Sequence, residues 1–230
     1  MRLDRFLSNL PRFNRKDVRL ALVAGRIRVD GQICKDPHHE VREFSRVAFD
    51  DQLLQPGKPA RYLMLHKPKG YVSATCDAHH PTVLELLDEP DRHELHIAGR
   101  LDFNTTGLML LTNDGQWSRR LTQPQTHLPK VYYVETEQLI DERYVTRFAE
   151  GFYFSFEDIT TQPAELTLLG PRCARLTLFE GRYHQVKRMF GHFDNKVLEL
   201  HRESMGPLTL DPALEPGSYR ALDAAQIASV

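Results

Sequence analysis

Residues 99–115, GRLDFNTTGLMLLTNDG, are the stretch from which the rest of the chain can be interpreted. The apolar run at 108–111 has the length and composition of a buried strand, and polar turn residues bound it. Before it lies a loop of hydroxyl, amide and glycine residues that carries one carboxylate, Asp102, two positions after Arg100. Because functional groups collect in loops held by a rigid element, this stretch indicates a functional loop in front of a buried strand.

Asp102 allows two interpretations from the residues alone. It can cap the turn and pair with Arg100, which is a structural role. It can also be a nucleophile or an acid–base group, provided that a nearby cation keeps it ionised, because burial alone raises the pKa of a carboxyl. Both interpretations stay open at this point.

A second stretch, EGRYHQVKRMF at 180–190, could supply that cation. It predicts a helical turn crowded with the side chains of Arg182, His184, Lys187 and Arg188. Such groups can neutralise a buried carboxylate or contact phosphate. Taken alone, the stretch would be interpreted as an exposed basic helix.

The larger part of the chain combines strands and helices. The hydrophobic pattern predicts strands at 61–66, 108–112, 131–136, 164–169 and 174–179, and helices near 82–87, 116–121, 141–150 and 184–193. Several strands lie too close in sequence for a helix to cross between them. We therefore predict a mainly antiparallel α+β domain rather than a doubly wound parallel sheet.

The N-terminal segment predicts a small unit of two helices followed by a hairpin. Apolar residues at 3, 6, 7 and 10 follow the spacing of one helix face, and Pro11 ends that helix. Asn14 is a suitable N-cap for a second helix that runs to about Ala24. After Gly25 the pattern changes to period two, and Asp30-Gly31 supplies the tight turn of a hairpin.

This unit also carries a basic surface. Residues 1–46 hold 11 Lys and Arg against 6 Asp and Glu, a net charge of +5, whereas the whole chain has −1. The candidate phosphate contacts are Arg12, Arg15, Lys16, Arg19, Arg26 and Arg28. Cationic side chains dominate nucleic-acid affinity, although a charged helix face can equally be only solvated.

The composition of the 230 residues is that of an ordinary globular protein, with room for two domains. The linker candidate QPGKP at 55–59 separates an N-terminal domain at 1–58 from a larger domain at 59–230. No apolar run approaches the roughly 20 residues that cross a bilayer, and the N-terminus lacks a signal-peptide pattern. We expect a cytoplasmic monomer without a membrane partner.

Several other chemistries lack their motifs. No histidine stands with Cys or Glu at a recognised metal-ligand spacing, so we expect no metal site. The chain contains no Gly-x-Ser-x-Gly elbow and no Walker or G-x-G-x-x-G loop. A glycosidase or nucleosidase usually needs two carboxylates, whereas Asp102 stands among cations.

Five motifs, in order along the chain, resemble those of the RsuA-type pseudouridine synthases. They are KPKG at 67–70, GRLD at 99–102 with TTGL at 105–108, KVY at 130–132, the stretch at 180–190, and LHR at 200–202 with Gly206. In front of them, RLDRFL at 2–7, NRK at 14–16 and GRIRVDG at 25–31 resemble the S4 RNA-binding domain, with Asn14 where that family more often has Ser. The resemblance covers essentially the whole chain. Within the family it is most similar to members that modify 16S rather than 23S ribosomal RNA.

The resemblance implies an enzyme that isomerises uridine to pseudouridine without a cofactor. The family's catalytic aspartate, its tyrosine and the basic partner of the aspartate correspond to Asp102, Tyr132 and Lys187. Lys187 would keep Asp102 charged, and Tyr132 would stack on a uracil that has been flipped out of folded RNA. The motif arginine, Arg100, would help to hold the flipped nucleotide.

Other motif residues are expected to contact the substrate: Lys67, Arg182, His184, Gln185 and Arg202. The implied partner is 16S ribosomal RNA or a partly assembled small ribosomal subunit. Two alternatives stay open, a non-catalytic RNA-binding factor in ribosome assembly and a synthase that acts on 23S RNA.

Overall fold

The computed structural model describes residues 1–230 and divides them into two compact units, Met1–Ala60 and Arg61–Val230. The dividing point lies two residues beyond the end predicted for the first domain. The first unit has one hydrophobic core and the second unit has two. No helix combines the length and the apolar character that crossing a membrane would require.

The first unit packs two helices against a small sheet. Its elements are α1 (Leu3–Ser8), α2 (Arg15–Val23), β1 (Ile27–Val29), β2 (Gln32–Ile33), β3 (Val47–Phe49) and β4 (Gln52–Gln55), with strand order β2-β1-β3-β4. Asn14 caps α2 as predicted, because its side chain accepts from the backbone N–H groups of Lys16 and Asp17. The predicted hairpin joins β1 to β2 through Asp30 and Gly31, both of which have positive φ.

The second unit is built on one nine-stranded sheet. Its strands are β5 (Tyr62–Lys67), β6 (His96–Ala98), β7 (Thr106–Thr112), β8 (Lys130–Thr136), β11 (Glu165–Gly170), β12 (Cys173–Leu178), β13 (Val197–Met205), β14 (Leu208–Thr209) and β15 (Tyr219–Ala221). A separate hairpin pairs β9 (Tyr153–Phe154) with β10 (Ile159–Thr160). The helices are α3 (Gly115–Thr122), α4 (Glu142–Glu150), α5 (Gln185–Gly191) and α6 (Ala224–Ala228).

The order of the main strands is β11-β12-β8-β13-β7-β5-β15, with β14 beside β13 and β6 beside β7. Only the β13–β7 pair is parallel. The prediction of a mainly antiparallel α+β domain is therefore confirmed.

Strand β7 is buried on both faces, as its apolar run predicts. Met109 and Leu111 face a core that also contains side chains from α4 and α5. Leu108 and Leu110 face a second core, which contains Trp117 of α3. The sheet thus lies between two layers of helix and loop, which hold β7 rigidly behind the loop that precedes it.

Several elements were not predicted, and two of the differences concern the main sheet and its surroundings. The central strand β13 has no clear hydrophobic pattern, since His201, Arg202 and Glu203 stand in its middle, and it was not predicted. The helix expected near 82–87 is a single 3₁₀ turn, Val83–Leu86, which Thr82 and Glu85 cap.

Candidate active site

One row of residues crosses four neighbouring strands and leads to the loop at 99–105, the Asp102 loop. Tyr132 on β8 is opposite Arg202 on β13, Arg202 is opposite Gly107 on β7, and Gly107 is opposite Lys67 on β5. Opposed residues on paired strands share one face of the sheet. A Cβ atom on Gly107 would lie 2.3 Å from the Arg202 carbonyl oxygen, so only glycine permits this approach of the two strands.

Lys67 and Arg202 hold the Asp102 loop through its backbone. The Lys67 Nζ donates to the carbonyl oxygens of Pro68 (3.0 Å), Phe103 (3.2 Å) and Thr105 (2.8 Å). The Arg202 guanidinium donates to the carbonyls of Gly99 (3.1 Å), Arg100 (3.3 Å) and Leu108 (2.9 Å). Both side chains are buried, so these hydrogen bonds to backbone carbonyls satisfy charged groups that water cannot reach.

Asp102 pairs with the second stretch and not with Arg100. The Lys187 Nζ lies 3.1 Å from one carboxylate oxygen of Asp102, and the His184 Nε2 lies 3.5 Å from the other. The Asp102 side chain keeps 26% of its surface exposed, so it remains accessible from the cleft. The interpretation of Asp102 as a cap paired with Arg100 is therefore wrong in its choice of partner.

A hydrogen-bonded turn at 180–185 orients these partners. The buried Glu180 carboxylate accepts from the backbone N–H of Gln162, from Arg182 Nε and from Gln185 Nε2. The Gln185 Oε1 accepts from the Arg182 backbone N–H at 3.0 Å, which closes the turn. Within this turn, His184 has the left-handed conformation (φ 48°) and is the N-cap of α5, the helix that carries Lys187.

Most of these groups line a cleft of about 820 Å³, whereas Lys187 contacts Asp102 without lining it. Its lining includes Asp102 and Arg100, Arg182 and His184, and the buried residue Tyr132. A volume of this size accommodates a small ligand or one extruded nucleotide. A carboxylate with a lysine counter-charge beside an aromatic ring suits attack or proton transfer on a flat ring or its attached sugar.

The structure distinguishes among the six residues expected to contact the substrate. Arg100, Arg182 and His184 line the cleft with part of their surface exposed. The prediction that Lys67 contacts the substrate is wrong, because Lys67 is fully buried, does not line the cleft and donates to backbone carbonyls of the loop. Burial lowers the pKa of its ammonium to about 8. Arg202 and Gln185 border the cleft, but their polar atoms bond to protein groups.

Among the cleft residues that the sequence analysis did not predict to be functional are Lys130, Glu180 and Tyr183. Lys130 lies two positions before Tyr132 on β8, a spacing that puts both on one strand face, and burial lowers its pKa. Glu180 could have been found as the one acid in a basic stretch. No group of three or more His, Cys, Asp or Glu side chains is arranged to hold a metal ion.

The six basic residues that were predicted to contact phosphates fall into two sets. Arg15, Lys16 and Arg19, the α2 basic face, are exposed and take part in no ion pair. Arg26 pairs with Asp50 at 2.5 Å and lies over the Phe49 ring. Arg12 stacks on the same ring, and Arg28 donates to the Gly31 carbonyl. The α2 basic face is therefore the part most available to phosphates.

Comparison with known proteins identifies the class to which this fold and site belong. Residues 61–192 match the family model described as RNA pseudouridylate synthase, and residues 1–47 match that of the S4 domain. The chain belongs to the RNA pseudouridylate synthase family, whose members are isomerases, and it carries an S4 domain at its N-terminus. The predicted family and the predicted S4 domain are confirmed.

Similarity to individual members extends over the full length. The chain is 66% identical over 230 residues to ribosomal small subunit pseudouridine synthase A of Pseudomonas aeruginosa, with 100% of both chains covered. It is 46% identical to the protein of the same name from Escherichia coli K12, again with 100% of both chains covered. A crystal structure described as a pseudouridylate synthase superimposes with a TM-score of 0.72 at 40% identity and covers 100% of this chain and 99% of that one.

Proposed function

We propose that this enzyme converts one uridine of 16S ribosomal RNA, free or in a partly assembled small subunit, to pseudouridine. The substrate is supported by relatives that are named for the ribosomal small subunit and match the whole chain. The chemistry is supported by one observation above all, the Asp102 carboxylate 3.1 Å from the Lys187 ammonium at the edge of a cleft that contains Tyr132.

The reaction is balanced without a co-reactant. The bond between N1 of uracil and C1′ of ribose breaks, the base rotates, and a bond forms between C5 and C1′. The proton on C5 is lost, and N1 ends protonated, so the product is an isomer of the substrate. A carboxylate can start this sequence by attacking C1′, by attacking C6 or by taking the 2′ proton, and each route needs the Asp102 oxygens to face the nucleotide.

Tyr132, Arg100 and Arg182 position the nucleotide for reaction with Asp102. The uridine must leave its stack to reach the cleft, and the Tyr132 ring offers it a new stacking partner and a hydroxyl group near C5. Arg100 and Arg182 lie where they can contact the phosphates that flank a flipped nucleotide. Residues 1–58, through the α2 basic face, hold the surrounding RNA, and residues 59–230 carry out the isomerisation.

Pseudouridine mapping tests the substrate assignment. Purified enzyme is incubated with 16S RNA, 23S RNA and partly assembled small subunits, and pseudouridines are located by carbodiimide modification and primer extension. One new stop in 16S RNA or in the subunit particle is the expected result. A stop in 23S RNA alone would overturn the substrate, and the absence of any stop would favour a non-catalytic assembly factor.

A further inference from the structure

Tyr183 is an aromatic residue that the chemistry above does not use. Its side chain is 74% exposed although it lines the cleft, and it belongs to neither core of the second unit. Its ring is stacked on the His184 imidazole, with centroids 3.9 Å apart and planes 18° from parallel. One face of the Tyr183 ring is therefore backed by protein, and the other is available to a ligand.

Contacts of the backbone hold the turn that carries the Tyr183 ring. The Tyr183 carbonyl accepts from Arg188 Nη1 at 3.3 Å, and the Arg188 guanidinium is itself held by two hydrogen bonds from its Nη atoms to the Glu157 carboxylate, at 2.6 and 2.7 Å. His184 takes a left-handed conformation that non-glycine residues rarely adopt. Such conformations persist where surrounding contacts enforce them and are common at functional sites.

The chemistry of the ligand follows from the place of this ring. The His184 imidazole that backs Tyr183 also lies 3.5 Å from the Asp102 carboxylate. The Tyr183 ring is therefore close to the carboxylate that, in the proposed function, reacts with the flipped uridine. When a uridine is flipped into the cleft, the neighbouring bases in the strand lose a stacking partner. Exposed aromatic rings bind single-stranded RNA by stacking on such bases.

We propose that Tyr183 stacks on the base next to the flipped uridine and so holds the RNA strand open at the cleft. This inference rests on the proposed function. Tyr183 makes this contact with its exposed face, while Tyr132 contacts the flipped base inside the cleft.

The test uses the full chain and two RNA fragments that span the modified uridine, with the fluorescent base 2-aminopurine on its 5′ side in one and on its 3′ side in the other. All binding is measured in the Asp102→Asn background, so that no turnover occurs. Tyr183→Leu should weaken binding by about 5- to 100-fold and should raise the emission of one fragment in the complex, because the quenching ring is gone. Tyr183→Phe keeps the ring and should recover most of that difference.

Phe156 provides the matched control, since it is 96% exposed and does not line the cleft. Phe156→Leu should leave affinity and emission as they are in the parent. Equal affinity and emission for Tyr183→Leu and its parent would overturn the stacking role. Failure of the proposed function is a separate result, because it appears as absence of pseudouridine with the otherwise unchanged enzyme.

Discussion

Asp102 takes its position and its charge partner from residues far from it in the sequence. Lys67 and Arg202 hold the loop backbone, while Lys187 and His184 approach the carboxylate from α5. Sequence patterns could indicate a functional loop and a possible cation in the second stretch. The pairing with Lys187 followed only from the family resemblance, because it depends on how α5 packs against the sheet.

At the residue scale, Lys187→Met should lower the single-turnover rate of pseudouridine formation by about 100-fold or more, since it removes the counter-charge beside Asp102. RNA affinity should stay within a few fold. Lys187→Arg should be intermediate, and Lys196→Met, which removes an exposed lysine, is the control. A rate equal to that of the unmodified enzyme would contradict the role of Lys187.

The lowered pKa of Lys67 predicts that the free energy of unfolding depends on pH. Its pKa is about 8 in the folded chain, below its ordinary value of 10.5, so the unfolded chain binds more protons between these two values. The contribution of Lys67 to the free energy of unfolding must therefore rise with pH in that window. Urea unfolding should show that the unmodified chain gains about 2 kcal/mol relative to Lys67→Met between pH 8 and pH 10. Parallel pH curves for the two proteins would show that this shift is absent.

At the element scale, β7 and β13 show what could and could not be predicted. The apolar run of β7 is decisive because it is buried on both faces. Strand β13 was missed because a buried arginine in a central strand is expected to destabilise it. Here hydrogen bonds from Arg202 to two carbonyls of the Asp102 loop and to one carbonyl of β7 compensate. Through the same hydrogen bonds Arg202 holds the backbone of the site. Sequence spacing alone cannot distinguish this structural role from a contact with the substrate.

The contact between β7 and β13 requires glycine at position 107. Gly107→Ala should destabilise the chain by about 3 kcal/mol or more, because the added Cβ meets the Arg202 backbone and φ is +108°. Gly70→Ala is the matched control, since φ is also positive (+85°) but nothing lies within 4 Å, and it should cost only about 1–2 kcal/mol. Thermal or urea unfolding measures the stability of both variants. Equal losses of stability in Gly107→Ala and Gly70→Ala would contradict the steric argument.

At the scale of the whole molecule, charge and chemistry are divided between the two units. Residues 1–46 have a net charge of +5 in a chain of −1, and the Asp102 site lies in the second unit. The charge distribution, the α+β class and the two-unit organisation all follow from composition and periodicity. The cleft cannot be predicted from composition and periodicity, because the residues that line it come from separate parts of the chain.

Replacing Arg15, Lys16 and Arg19 together by Ala should weaken RNA binding and reduce its salt dependence by roughly one unit of slope per lost phosphate contact. The matched control replaces Arg143, Arg172 and Lys196, three exposed cations of the second unit, by Ala. Binding is titrated at several salt concentrations. An unchanged slope for the first variant would mean that the α2 basic face is only solvated.

The most direct test of the central claim compares Asp102→Asn with the unmodified enzyme in a single-turnover assay of pseudouridine formation in 16S RNA, with RNA affinity measured in parallel. Glu137→Gln, which neutralises an exposed carboxylate, is the control. We predict no detectable product with Asp102→Asn, affinity within a few fold of the unmodified enzyme, and normal turnover by the control. Pseudouridine formed by Asp102→Asn at the unmodified rate would contradict the assignment of Asp102 as the reactive group.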